Sequence, residues 1–191
     1  MNVRITKYNP VYRSSDGAYM YDDWTCFSEL RRKKMPIEEY IAAEDGYVYT
    51  IIKLLESIGV DELCVDFLQM VDEGKDNELS NDYNSINEGL RFAMDGMPDD
   101  VVASSKEMAE KIWLSEKCVI GMDEIEIVIR LTLRNVIDVK LSGVDNTYVH
   151  FGWDYYIYFG SDRLPRRTQF DIPKGIFIEW WPSPYLDTDE E

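Results

Sequence analysis

Between Pro36 and Gly59 the apolar residues Ile37, Ile41, Val48, Ile51, Leu55 and Ile58 fall at spacings of three, four or their sum. On a helix of 3.6 residues per turn they form one stripe. Pro36 suits the first turn, where its missing N–H loses nothing, Glu38 and Glu39 meet the positive end of the helix dipole, and Gly59 can stop the helix. A helix of this kind must bury its stripe against a second layer, so the chain has to supply one. One residue interrupts the stripe: Glu44 lies midway between Ile41 and Val48 on the same face. A carboxylate there is either paired with an arginine or tyrosine inside the fold or opens onto a pocket.

The second layer reads as strands. Val3 to Lys7 forms a short one, followed by a turn at Asn9-Pro10, and Ser14 to Gly17 gives turn chemistry before AYMYDDWTCF, implying a hairpin or two edge strands. Toward the C-terminus, VIDVKLSG, a turn at Val144-Asp145-Asn146, and TYVHFGWDYYIYFG read as an antiparallel hairpin. GIFIEWW adds a third strand, closed by Pro182 and Pro184. Taken as one strand, residues 149 to 161 place Phe151, Trp153, Tyr155, Ile157 and Phe159 on the core side, and His150, Asp154 and Tyr156 on the more polar face.

The middle of the chain reads mainly as helix. Residues 60 to 72 carry both periodicities, with helix slightly favoured over strand; a polar loop, EGKDNELSNDYNS, and a short helical piece from Ile86 to Met94 follow. Ser104 and Ser105 can cap a helix through about Cys118, with Glu107 completing a capping box with Ser104 and Met108, Ile112 and Trp113 facing inward. DEIEIVIRLTLRNV alternates like a strand, yet Asp123 with Glu126 gives a helix start, and Glu126, Arg130 and Arg134 recur every four residues. Helix is the chosen reading. The expected fold is α+β, one globular domain over residues 1–191, with central helices packed on an antiparallel sheet formed mainly by C-terminal strands.

Charge then limits function. The chain carries a net −17, and from Pro36 to Asp100 there are 17 Asp and Glu against Lys53, Lys75 and Arg91. Such a surface repels nucleic acid and anionic membranes and steers toward a basic partner. The one basic block, Arg31 to Lys34, has no glycine-rich loop beside it and reads as a solvated connector. No apolar run approaches the roughly 20 residues that span a bilayer, and the N-terminus lacks a signal-peptide pattern, so a cytoplasmic location is expected. Cys26, Cys64 and Cys118, widely spaced and without CxxC pairing, read as reduced thiols rather than a zinc site or disulfide framework.

Catalytic signatures are missing. His150 is the only histidine, and on a regular strand it stands about 13 Å from Asp154, too far for a dyad. Adjacent carboxylate pairs such as Asp61-Glu62 and Asp72-Glu73 point their side chains apart, so no metal or cofactor is expected. Surface acids and aromatics suit a protein-binding face. The contact candidates are Glu44, Asp61, Glu62, Asp66, Asp72, Glu73, His150, Asp154 and Tyr156. A small hydrolase or transferase using His150 or Glu44 in a pocket, and an acidic adaptor module, are the alternatives.

RITKYNPVYR, DDWT, EEYIAAEDGYV, IRLTLR, VHFGWDYYIYFGS and GIFIEWWPSPYL together resemble a group of small bacterial cytosolic proteins that look like immunity proteins of secreted polymorphic toxins. The resemblance implies a non-enzymatic inhibitor that binds a cognate toxin domain and blocks its site, with no site residues carried over. Its acidity would suit a basic, nuclease-type toxin.

Overall fold

The protein is described from a computed structural model covering residues 1–15, 18–30, 35–70, 86, 89–91, 93–167 and 169–186, with Met70 by its backbone alone. The Arg31 to Lys34 block, the polar loop after residue 72, and the candidates Asp72 and Glu73 lie outside the described residues.

Seven strands form one antiparallel sheet: β1 (Asn2–Thr6), β2 (Glu62–Met70), β3 (Val119–Gly121), β4 (Ile137–Gly143), β5 (Thr147–Phe151), β6 (Ile157–Gly160) and β7 (Phe177–Trp180), in the order β3-β2-β4-β5-β6-β1-β7. Of helices α1 (Ile37–Ile58), α2 (Asp99–Glu110) and α3 (Met122–Leu133), α1 and α3 pack on the sheet and α2 packs on α3, giving the expected α+β architecture. β4, β5 and β6 meander through short turns, whereas β1 returns from the N-terminus to sit between β6 and β7. Val3, Ile5, Leu63, Val65, Val139, Leu141, Val149 and Phe159 bury one face of the sheet in the same apolar core as Ile51, Leu55, Ile125 and Ile129 of the helices.

α1 begins one residue later than the sequence implies, with Pro36 as its N-cap, and ends as expected: Gly59 adopts φ 69°, and Val60 N–H reaches Leu55 O at 3.1 Å. That Schellman closure needs a left-handed residue, which glycine provides without a Cβ penalty. α3 confirms helix over strand for residues 122–133, although Glu124, not Glu126, accepts the Gly121 N–H at 2.9 Å and closes the first turn.

Three expectations are corrected. Residues 62–70 form a strand paired with β3 and β4, not a helix, and a bulge between Val65 and Phe67 shifts the inward positions from Leu63 and Val65 to Leu68. The extra residue breaks period two and imitates helical spacing. Ser104 and Ser105 lie inside α2 instead of capping it: Pro98, followed by Asp99 and Asp100, supplies the start, and Trp113 beyond the helix is 65% exposed.

The third correction concerns residues 149–161. β5 stops at Phe151, Trp153–Tyr155 makes a 3-10 turn, and β6 returns antiparallel with Phe151 opposite Ile157. Gly152 N–H donates to Tyr156 O at 2.7 Å, and Asp154 and Tyr155 take φ 59° and 58°. Aspartate tolerates that left-handed region because its short side chain can bond locally. Trp153, expected in the core, is 86% exposed, and the strand-length separation of His150 from Asp154 does not apply.

Candidate functional site

His150 sits on β5 opposite Tyr158 of β6, on the sheet face away from the helices. It is buried, not open to a partner. Residues 181–186 cross this face: Trp181 lies 4.3 Å from the Arg4 guanidinium, Ser183 Oγ is 2.9 Å from His150 Nδ1, and Tyr185 packs edge-on against His150 and Tyr158. Tyr148 stacks on the imidazole with ring centroids 4.6 Å apart. Tyr156 is half-buried, and its hydroxyl accepts from Arg13 at 3.0 Å. Asp154 is exposed in the β5–β6 turn.

Glu44 is fully enclosed. Arg134 donates to it through Nε at 2.8 Å and Nη2 at 2.7 Å, Arg130 adds Nη1 at 2.9 Å, and the Arg134 Nη1 group reaches Ser104 and Ser105 at 2.9 and 2.8 Å. Burial pulls the Arg134 guanidinium down, but its bonds and charge pairing with Glu44 more than offset this, and it ends above the ordinary arginine value. Arg130 likewise ends high: burial opposes it, and bonds to Asp45, Glu126 and Glu44 outweigh burial. With no exposed surface and its oxygens engaged, Glu44 has nothing to offer a partner or substrate.

The three cysteines are free thiols. Cys64 is pushed up by burial and by neighbouring Asp66, which holds it in the weakly nucleophilic protonated form. Among the described residues, no group of three or more His, Cys, Asp or Glu side chains is placed to hold a metal ion.

The exposed carboxylates collect elsewhere, along α1. Positions 38, 41, 42, 45, 49, 52, 56 and 59 occupy one side of that helix, and two open clefts lie end to end beside it. The first, about 490 Å³, has Ile52, Val60 and Met122 on its floor and Glu56, Asp61, Asp123 and Glu126 on its rim. The second, about 500 Å³, sets Glu38, Asp45 and Asp100 around Ile37, Ile41 and Val101. Between them Arg130 is bonded to Asp45 at 2.7 Å and Glu126 at 2.9 Å.

Of the sequence candidates, Asp61 lines the first cleft, while Glu62 and Asp66 are exposed nearby on β2. Glu38, Asp45, Glu56, Asp100, Asp123 and Glu126 were not among them. The signal for the α1 members was present: the carboxylates at 38, 45 and 56 flank the outer edge of the apolar stripe at near-helical spacings.

No family model, curated protein or solved structure matches the chain. Among the described residues, no helix is long and apolar enough to cross a membrane.

Proposed function

We propose that the protein is a non-enzymatic cytoplasmic binding protein, an immunity-type inhibitor that neutralises a basic, nuclease-type toxin domain by covering it. The observation that carries this reading is the row of exposed carboxylates over apolar floors along α1. Apolar floors give contact area, and the acidic rims select a basic surface and speed its approach. The groups with most catalytic potential, His150 and Glu44, are buried and held by Ser183 and by two arginines. A nuclease site that grips phosphate is cationic, so an acidic cover competes for the same charges.

The test is to co-express the chain with the product of the adjacent gene. A stable complex and restored growth are expected, with both weakened when Glu56, Asp61 and Asp123 are changed to Gln, Asn and Asn. Failure to form a complex at micromolar concentration, or absence of a toxic neighbour, overturns the proposal.

A further inference from the structure

We infer that the segment of the partner that docks here is an amphipathic helix carrying its cations in two groups about 20 Å apart, with apolar side chains entering the two clefts. This rests on the reading above and specifies its contact. The clefts centre near Ala42 and Glu56 of α1, and fourteen residues at 1.5 Å each separate them by roughly 21 Å. Their rims are not evenly charged. At the waist Arg130 and Arg134 stand against Glu44, Asp45 and Glu126, which leaves one negative charge over, and Lys53 pairs with Glu56, so among the described residues the larger unpaired surplus lies at the two ends, on Asp61 and Asp123 and on Glu38 and Asp100. A continuous basic run would set cations against Arg130; two separated groups avoid it.

The walls indicate a helix. Both clefts are bounded mainly by α1, α2 and α3, and none of their lining residues belongs to a strand, so an extended peptide would find no sheet edge to join there. A helix brings its backbone bonds with it and needs only an apolar stripe and flanking charge.

Two synthetic 20-residue helical peptides of one composition test this by fluorescence anisotropy at 0.15 M salt: one with lysines in two terminal groups, one with them gathered at the centre, both keeping the apolar stripe. The end-charged peptide is expected to bind at least tenfold more tightly. Asp61→Asn with Asp123→Asn, and Glu38→Gln with Asp100→Asn, should each weaken it severalfold, and all four together should erase its advantage. Asp171→Asn with Glu116→Gln, which are exposed and line neither cleft, should leave it unchanged. Equal binding of the two peptides, or an equal loss from the Asp171 and Glu116 changes, overturns the inference. Rescue of growth that survives all four cleft changes removes the groove while leaving the inhibitor reading intact. Peptide binding as expected without a growth-restoring partner removes the inhibitor reading alone.

Discussion

Changing Glu44 to Gln keeps the side-chain volume but removes the charge that two arginines share. Glu44 has 0% side-chain exposure and Arg134 4%, so the substitution leaves a buried guanidinium facing an amide whose NH2 group can only oppose it. Removing one partner of a buried ion pair costs about 3–5 kcal/mol because the other charge stays desolvated. Against a typical total of about 5–15 kcal/mol this is a large fraction. At about 2–4 °C per kcal/mol for a chain of this size, the melting temperature should fall by roughly 6–20 °C. Arg130 adds little to the loss, since it keeps Asp45 and Glu126 and is 19% exposed. Replacing both partners, Glu44→Leu with Arg134→Met, should recover most of the stability, because no buried charge is left behind. Urea unfolding followed by far-ultraviolet circular dichroism measures all three. A Glu44→Gln loss below about 1 kcal/mol, or a double variant no better than the single one, would refute the assignment of Glu44 as a buried structural anion.

Gly160→Ala should cost about 1–3 kcal/mol, because a methyl group there would overlap the Tyr148 ring, and the loss should shrink in a Tyr148→Ala background. Trp153→Ala should change stability by less than about 0.5 kcal/mol, since the indole stands out from the β5–β6 turn; a loss above about 2 kcal/mol would restore it to the core. Tyr8, Tyr40, Tyr47 and Tyr155 are all raised above the ordinary tyrosine range, burial being the largest cause. The folded state therefore keeps these protons where the unfolded chain releases them, and stability is intact below about pH 10 and falls as pH rises beyond it. Absorbance titration near 295 nm should show these phenols ionising together with loss of structure, and independent ionisation in a folded protein would contradict their burial.

Glu44 illustrates how far the sequence reaches. Its place on the apolar stripe announces a paired or pocketed carboxylate, and Arg134 is visible at the end of an i, i+4 series with Glu126 and Arg130. Nothing local says that Arg134 leaves that series and turns inward to a partner 90 positions away. His150 kept its expected face but is covered by Ser183 and Tyr185, and Trp153 failed for a related reason. Alternation through 149–161 fits one strand on aromatic content alone, and the reversal at Gly152 to Tyr156 rests on a short turn whose only local hints are Gly152 and Asp154. The bulge at β2 hid its strand by breaking the repeat that identifies one.

The sequence by itself determined α1, the helical choice for α3, the Asp145-Asn146 hairpin, the strand at 177–180 and the acidic character of the middle region, because stripes, caps, turn residues and charge act over a few neighbouring positions. Only the tertiary structure decided that β1 inserts between β6 and β7, that Glu44 and His150 are enclosed, and that carboxylates from α1, α2 and α3, with Asp61 just before β2, rim two clefts. Those outcomes depend on which apolar faces cover one another, and partners so distant in the chain meet only when the whole core closes.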